Sequence, residues 1–505
     1  MTLAMLQAIT LSGLSGSLID IEVDVSNGLP SYSLLGLPDA TLSEARERIR
    51  AAILNSGFSW PNKKLTVSLS PAWLPKSGSA FDLPIALAIL TATSQIEAKC
   101  VKETLFIGEL SLEGALRPIR GLLPMLIAAS HHGFRSIIVP KDSYGEAKVL
   151  NQVNIYALPN LKAVISHLNG EERFENPTLL EVNESDRKKD FSEVAGQEEA
   201  KFALSVAAAG NHNILLIGAP GTGKTMLAER LPSILPPLTE SEAIEVAGIH
   251  SIAGKLNPKE AVSYLPPFIS PHHSTTIPAL VGGGSNSIKP GACSLAHNGV
   301  LFIDEAPECS LGILDALRQP MESGEISITR ANQSAIFPAK FILVLAANPC
   351  PCGKYSGRGR NCECSSHQIR RYLGRLSGPL LDRIDIRIKV EAPTRTELLA
   401  DSAETSEMFR SRVLAARNIA AERFKDEDFN SNSQIPPSQL RTRYRAKREG
   451  MALINALLDS EAISARGYHR ILRTAWSISD LTGTDSPDKT AIERALSLRV
   501  GLASE

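Results

Sequence analysis

One short segment constrains this chain more than any other. Residues 218–225, GAPGTGKT, follow the apolar run 214–217 and precede a helix-like stretch that begins at Met226. In this order of strand, glycine-rich loop and helix, the backbone N–H groups of the loop turn onto phosphate oxygens at a helix N-terminus. The sequence therefore predicts a P-loop that binds a nucleoside triphosphate.

The residues of the loop have separate expected roles. The predicted phosphate-binding residues are Gly218, Ala219, Pro220, Gly221, Thr222, Gly223, Lys224 and Thr225. Lys224 is expected to reach the β- and γ-phosphates, and the Thr225 hydroxyl is expected to ligate Mg²⁺. A chance glycine loop at a strand–helix turn is the alternative, and the complete order of elements disfavours it.

Two later strands end in polar side chains that hydrolysis requires. The apolar run 300–303 ends at Asp304 and Glu305, about 80 residues after the P-loop. Asp304 is expected to hold Mg²⁺, and Glu305 is expected to orient and deprotonate the attacking water. A further apolar run, 341–347, ends at Asn348. This residue either positions the lytic water or only opens a turn before proline, and the order of the three motifs favours the first role.

Composition sets wider bounds. The 505 residues are 43% hydrophobic, which suits two to four ordinary globular domains. No apolar run is long enough to span a membrane, and the N-terminus lacks a basic segment, so we expect a soluble cytoplasmic protein. The formal net charge of −1 means that any nucleic-acid site must be local.

Local patterns divide the chain into parts. Strand-like runs with period-2 alternation and helical stretches alternate in the first third, and a polar, charged segment separates that third from the P-loop region. The predicted domains are 1–170, a linker at 171–190, an ATPase core at 191–392 and a helical C-terminal domain at 393–505.

Three N-terminal segments carry a resemblance to a known family, and the resemblance extends over essentially the whole chain. GLPDATLSEARERIRAAILNSGF (36–58), SPAWLPKSGSAFDLPIALAIL (70–90) and the segment 108–140 resemble the N-terminal domain of the ComM/YifB family of magnesium-chelatase-like AAA+ ATPases. The resemblance implies an α/β protein. Its parts would be a Lon-protease-like (ribosomal S5-like) domain, an AAA+ αβα sandwich with a parallel sheet, and an α-helical lid.

The Lon-like domain is expected to lack protease chemistry. Lon-type proteases use a serine activated by a lysine. The alignment puts Ala80 and Leu123 at those two positions, although Ser77 and Ser79 lie nearby. The domain is therefore interpreted as a non-catalytic scaffold for assembly or substrate.

The resemblance also assigns residues around the nucleotide. The segment 191–197 resembles the one that lines the adenine pocket, or it is a helix entry without ligand contact. Asn348 resembles sensor 1. Arg383 resembles the arginine finger that enters a neighbouring subunit's ATP site, and a salt bridge to Asp382 or Asp385 is the alternative.

The predicted lid contains a sensor 2 helix. In the segment ARGYHRILR, from Ala465, Arg470 aligns with the arginine that contacts the γ-phosphate, and Arg466 is the second choice. Trp476 stands where the family commonly has an arginine, so the outer face of this helix is expected to differ. The basic run 441–448 is either a solvated helix face or a nucleic-acid contact.

Two insertions suggest nucleic acid. The first resembles the family's helix-2 insert but has Pro266 and Ile269 where arginines are usual, and its His272-His273 is a metal pair or simply a hydrogen-bonded loop pair. The second alternates apolar and polar residues over 324–341, which predicts a β-hairpin. Its Arg330 and Lys340 are the candidate phosphate contacts, or they are solvated charges.

Four cysteines form the last motif. Cys350, Cys352, Cys362 and Cys364 provide four thiolates, which suits a tetrahedral Zn²⁺ site. Reduced thiols in a flexible loop are the alternative. Nearby arginines make this the most basic local patch; they are Arg358, Arg360, Arg370 and Arg371.

Together these features predict an ATP- and Mg²⁺-dependent AAA+ ATPase. The resemblance implies a hexameric ring that acts on branched or single-stranded DNA, as a helicase or branch-migration factor in recombination during natural transformation. Two alternatives stay open. One is a magnesium-chelatase-type metal-insertion motor, although that subunit is expected to lack the N-terminal domain. The other, disfavoured by the absent dyad, is an ATP-dependent protease.

Overall fold

The computed structural model describes most of the chain. The described residues are 3–36, 42, 44–76, 78–178, 189–257, 262–284, 288–330, 333–355, 362–398 and 404–500. Ser77, Arg358 and Arg360, which the sequence analysis named, lie outside them. Within the described helices, none is long and apolar enough to cross a membrane.

The N-terminal region combines small sheets with helices. Its strands are β1 (Leu3–Ser12), β2 (Ser15–Ser26), β3 (Ser31–Leu35), β4 (Lys64–Ser70), β5 (Thr104–Phe106), β6 (Glu109–Leu110), β7 (Leu116–Arg117), β8 (Ser136–Pro140) and β9 (Asn154–Leu158). Its helices are α1 (Ala45–Asn55), α2 (Asp82–Ala92), α3 (Ala98–Val101), α4 (Leu122–His131), α5 (Tyr144–Ala147) and α6 (Leu161–Leu168), with 3-10 turns at Ser79–Phe81 and Lys141–Ser143.

These elements pack around α2. The strands form a four-stranded sheet in the order β1-β2-β4-β3, a parallel sheet in the order β5-β8-β9, and the pair β6-β7. Every residue of α2 is buried. Its sequence is apolar apart from Asp82 and Thr91, and it contacts β1, β2 and α1. Ala80 and Leu123, the positions of the missing protease dyad, are buried too.

The ATPase region has a central parallel sheet. Its strands are β10 (Ile214–Ile217), β11 (Phe268–Ile269), β12 (Gly282–Gly283), β13 (Lys289–Pro290), β14 (Gly299–Ile303), β15 (Glu325–Arg330), β16 (Gln333–Pro338), β17 (Phe341–Ala347) and β18 (Ile386–Lys389). Its helices are α7 (Glu198–Gly210), α8 (Lys224–Ile234), α9 (Glu240–Ala253), α10 (Ile277–Val281), α11 (Ala292–Leu295), α12 (Leu311–Ala316), α13 (Arg318–Ser323), α14 (Ser366–Leu373) and α15 (Gly378–Leu381), with 3-10 turns at Phe191–Glu193 and Ala306–Glu308.

The register of this sheet brings the predicted motifs to one edge. The parallel order is β11-β14-β17-β10-β18. The strands β10, β14 and β17 are buried apolar runs, as expected when helices cover both faces. Ile217 pairs with Ala347, and Ile303 pairs with Leu345. The segments that follow these three strands therefore leave the sheet at the same edge, where ligands bind in open α/β sheets.

The C-terminal region is helical. Its elements are α16 (Arg395–Leu398), α17 (Ser406–Arg423), α18 (Pro437–Leu440), α19 (Arg448–Asp459), α20 (Ala465–Thr482) and α21 (Lys489–Val500), with a 3-10 turn at Asn432–Gln434. Trp476 does not lie on the outer face of α20. It is 4% exposed, and its Nε1 donates to Tyr444 O at 2.9 Å. The predicted fold class, α/β with a parallel sheet and a helical C-terminal region, is confirmed.

Two contacts between the described residues of the N-terminal region and the ATPase region position the hairpin and helix α9. Helix α4 packs on α9, and the buried Glu146 accepts from Leu123 N at 2.8 Å and also bonds the Ser251 hydroxyl. At the second contact, the Ser12 hydroxyl donates to Ser334 O in β16 at 2.8 Å. The β15–β16 hairpin is therefore held by a neighbouring domain of its own chain.

Candidate functional site

The phosphate loop has the backbone that its glycines permit. Gly221 and Gly223 have φ of +80° and +89°, in the left-handed region that favours glycine. At Gly218 a Cβ would lie 2.4 Å from the Val390 carbonyl oxygen, so no side chain fits. Helix α8 begins at Lys224, and its N-terminus faces the loop. The loop therefore offers the donors and the positive helix end that bind phosphate.

Lys224 and Asn348 meet at this loop. The Lys224 Nζ donates to Gly218 O at 2.6 Å, to Ala219 O at 3.0 Å and to Asn348 Oδ1 at 3.1 Å. Burial lowers the pKa of Lys224, while the carboxylates of Asp304 and Glu305 oppose that shift. The structure thus brings the P-loop lysine and the predicted water-positioning asparagine into direct contact.

Thr225 and Asp304 form the predicted magnesium pair. The Thr225 hydroxyl donates to Asp304 Oδ2 at 2.9 Å. A hydroxyl and a carboxylate are oxygen ligands of the kind that Mg²⁺ takes beside substrate phosphates. These two residues therefore fit an ion bound together with a nucleoside triphosphate, which would neutralise phosphate charge there.

Glu305 follows Asp304 in an unusual backbone conformation. Its φ is +48°, in the left-handed region that few non-glycine residues adopt. Its backbone N–H donates to Asp304 Oδ1 at 2.8 Å, and its side chain is 47% exposed. The turn therefore aims the carboxylate away from the strand and into accessible space.

His273 approaches Glu305, and sequence reasoning missed this contact. His273 Nδ1 lies 3.4 Å from Glu305 Oε2. The ring of His272 contacts the His273 ring at 4.0 Å between centroids, with the two planes tilted by 35°. His272 Nδ1 bonds the Ser274 hydroxyl at 2.7 Å. In the part of the chain that the structure describes, the only metal-like group of three or more side chains is the cysteine cluster. Among the described residues, His272 and His273 therefore lack a third side chain that could complete a metal site with them.

Two further residues contact predicted site residues. Gln197 Nε2 donates to Thr222 O at 2.7 Å, so the segment 191–197 does touch the phosphate loop. Glu322 pairs with the Arg383 guanidinium. Gln197 lies in the segment that the resemblance had indicated, whereas Glu322 belongs to no motif with fixed spacing, so the sequence did not indicate Glu322.

Arg383 has a different partner from those expected for the salt-bridge alternative. Its Nη2 pairs with Glu322, not with Asp382 or Asp385, and its Nη1 donates to Pro379 O at 2.6 Å. The arginine therefore has a fixed position at the end of α15, before β18.

Arg470 lies away from its own chain's phosphate loop. It pairs with the buried Asp385, which directly precedes β18. Ile386 pairs with Ile214 at the start of β10, whereas the phosphate loop follows the end of β10. Arg470 therefore lies at the amino ends of the parallel strands, whereas the phosphate loop lies at their carboxyl ends. The structure does not bring Arg470 to the γ-phosphate position of the same subunit.

Asp385 binds several groups at the amino ends of these strands. Burial would raise its pKa, but the Arg470 guanidinium and His212 hold it well below the usual value. His212 Nδ1 lies 3.3 Å from Asp385 Oδ2. Close by, Arg466 pairs with Asp382 at 2.8 Å. The C-terminal helices thus place two arginines beside the segment that carries Arg383.

The predicted hairpin is present, with its two basic residues far apart along it. Glu325 pairs with Pro338 at one end, and Arg330 pairs with Gln333 at the other. Lys340 follows the first end, where its backbone N–H donates to His297 Nδ1 at 3.0 Å. Both basic side chains are exposed. They therefore cannot contact one phosphate together.

The four cysteines converge. Their Sγ atoms all lie within 4.8 Å of one another. Cys350 Sγ is 3.3 Å from that of Cys352 and 3.6 Å from that of Cys362. Tetrahedral zinc with bonds of about 2.3 Å would separate its sulfurs by about 3.8 Å. Cys364 completes a set that fits zinc.

Comparison with known proteins decides the family. A model described as magnesium chelatase, subunit ChlI, matches residues 190–398; models described as subunit ChlI of Mg-chelatase and its C-terminal part match 21–143 and 403–499. Competence protein ComM of Haemophilus influenzae is 42% identical over 99% of this chain and 98% of its own length. YifB of Escherichia coli is 40% identical over 99% and 97%, and Rv2897c of Mycobacterium tuberculosis is 44% identical over 97% of each. This chain belongs to the ComM/YifB family of magnesium-chelatase-like AAA+ ATPases.

Family membership agrees with the geometry described above. It supports ATPase activity with ATP and Mg²⁺, and an oligomeric assembly. A more distant relative, the magnesium-chelatase 38 kDa subunit of Rhodobacter capsulatus, is 26% identical over 61% of this chain and 85% of its own length. The likeness to ComM and YifB thus spans nearly the whole chain, whereas the likeness to this chelatase subunit spans about three fifths.

Proposed function

We propose that this AAA+ ATPase forms a hexameric ring that couples ATP hydrolysis to movement on branched or single-stranded DNA. Its biological role would be helicase or branch-migration activity in recombination during natural transformation. The observation that supports action on DNA is the β15–β16 hairpin, which directly precedes strand β17. The exposed Arg330 lies at the turn end of this hairpin. A positive side chain at such a position contacts phosphates without reading sequence.

The proposed ring is supported by candidate ATP-site residues that lie at opposite ends of the strands of one sheet. We assign phosphate binding to residues 218–225, with Lys224 on the β- and γ-phosphates and Thr225 and Asp304 on Mg²⁺. Glu305 accepts a proton from the attacking water, and Asn348 positions that water.

Arg383 and Arg470 are assigned to a neighbour's ATP. Both lie near the amino end of β18, opposite the phosphate loop of their own chain. A rotation that places this edge against the next subunit's loop would bring positive charge to its γ-phosphate, where an arginine stabilises the transition state. Each complete site would then need two subunits, and repetition of this head-to-tail contact closes a ring.

A magnesium-chelatase-type motor is the second candidate. The N-terminal domain does not by itself exclude it, because a family model with the chelatase description matches residues 21–143. The length of the match favours the DNA proposal, since the Haemophilus influenzae relative named for competence matches 99% of the chain. The protease alternative is disfavoured because Ala80 and Leu123 provide neither a nucleophile nor a base.

DNA stimulation separates these candidates. We expect a four-way junction to raise the steady-state ATPase rate several-fold, and the protein to displace its strands. Arg330→Ala should weaken DNA binding and lower the slope of log K against log salt by about 1, as expected for one lost phosphate contact. Lys425→Ala, an exposed lid residue, is the matched control. Absence of both DNA binding and stimulation would exclude the DNA motor.

We also propose that the cysteine cluster holds one structural Zn²⁺. The support is the convergence of four sulfurs within 4.8 Å, with Cys350 fully buried. Four thiolates around one ion form a closed site, which leaves no position for substrate.

Metal analysis checks this assignment. Protein that has been washed with chelator and purified should contain about one zinc per chain, and Cys352→Ser should lose most of it because one of four ligands is gone. Cys100→Ser is the matched control, because Cys100 belongs to the N-terminal domain. Zinc well below one per chain in the wild type would contradict the site.

A further inference from the structure

The cysteine cluster lies against the phosphate loop. Gly353, between the first cysteine pair and the rest of the cluster, has φ of +74°, and a Cβ added there would lie 2.6 Å from Cγ and Cδ of Pro220. The turn is fixed by a hydrogen bond from Gly353 N to Cys350 O at 3.0 Å. The proline ring of the P-loop therefore packs directly on the backbone of the cysteine turn.

A second connection runs through Asn348. This residue precedes Cys350 by one proline and contacts Lys224. Tyr372, on the helix that follows the last cysteine, is buried and forms a hydrogen bond with the backbone of Asn348. Burial raises the pKa of Tyr372, and this hydrogen bond partly offsets the rise. The cluster is thus flanked on both sides by segments that touch the ATP site.

We propose that metal at the cysteine cluster fixes the phosphate loop through the Gly353–Pro220 contact, so that zinc occupancy controls nucleotide affinity. This inference rests on the proposed zinc site. Without the ion, the described ties between the two cysteine pairs are sulfur–sulfur contacts at 3.6 Å and a backbone hydrogen bond between Cys352 and Cys364, and the turn keeps its Gly353–Cys350 hydrogen bond but no bond to a metal. With the ion, four bonds hold the turn, and Pro220 is restrained in the shape that binds phosphates.

The coupling has a thermodynamic consequence in both directions. If zinc raises nucleotide affinity by some factor, bound nucleotide must raise zinc affinity by the same factor. Coupling of this kind typically amounts to about 5- to 150-fold. Nucleotide should therefore slow the loss of zinc to a chelator, although no residue of the cluster is assigned to bind the nucleotide.

The test compares nucleotide affinity with and without metal. Fluorescent ADP is titrated into zinc-loaded and chelator-stripped protein, for the wild-type chain and for Pro220→Ala. We expect stripping to raise the wild-type Kd by about 5-fold or more, and to change the Pro220→Ala Kd much less because the contact is gone. Zinc release to a chromogenic chelator should be slower with ADP in the wild type only.

Each remaining outcome overturns one part. Zinc-loaded protein whose Kd does not change on stripping keeps the zinc site but refutes the coupling. A Kd that rises equally in wild type and Pro220→Ala refutes the route through Pro220. Absence of zinc from the purified wild-type protein would contradict both the zinc site and the coupling that rests on it. Gly353→Ala is a second variant, since its methyl must displace Pro220; it should weaken ADP binding while zinc content stays at one.

Discussion

Glu305→Gln should bind ATP as the wild type does and hydrolyse it about 10²- to 10⁴-fold more slowly, the usual contribution of a general base. The substitution keeps the shape of the side chain and the backbone at φ +48°, and it leaves Asp304 in contact with Thr225. Only the ability to accept a proton from water is lost. Single-turnover hydrolysis with radiolabelled ATP gives the rate, and a filter-binding titration gives the affinity.

Glu308→Gln is the matched control for this result. Glu308 lies in the turn that follows Glu305, its side chain is 43% exposed, and it lies 3.6 Å from Arg375. It should hydrolyse ATP at nearly the wild-type rate. Wild-type hydrolysis by Glu305→Gln, or equal losses in both variants, would mean that the base is elsewhere.

The sequence predicted the parts of the site that depend on strand order. Ile214–Ile217, Gly299–Ile303 and Phe341–Ala347 are short apolar runs, and buried parallel strands need such runs. Because the carboxyl ends of parallel strands lie at the same side of a sheet, the polar residues that follow these strands were expected to lie close together. The contact between Lys224 and Asn348 follows from that rule.

Other contacts could not be predicted, because they depend on how separate elements pack. Arg383 pairs with Glu322, 61 residues away, and not with the aspartates beside it in sequence. Trp476 is buried in the lid, although its alignment with an arginine suggested an outer face. The position of Arg470 at the edge opposite the phosphate loop also required the docking of the lid, which no local pattern encodes.

Arg383→Ala should abolish ATP hydrolysis by the assembled protein, with a fall of about 10³-fold or more, the range that arginine fingers contribute. Its own phosphate loop is untouched, so nucleotide affinity should stay near the wild-type value. The fold should tolerate the change, because the partner Glu322 has a side chain that is 62% exposed and can be solvated. Arg412→Ala, whose side chain is 49% exposed in the lid, is the matched control.

Mixing two inactive variants decides whether Arg383 acts on a neighbour. A subunit with Arg383→Ala keeps its own Lys224 and Glu305, and a Glu305→Gln subunit keeps Arg383. Where the two are adjacent in the right order, one complete site forms, so the mixture should regain a measurable fraction of wild-type hydrolysis. If Arg383 served its own subunit's ATP, every site in the mixture would lack one group and no activity would return. Restored hydrolysis therefore requires a site shared between subunits, since no single chain in the mixture contains both residues.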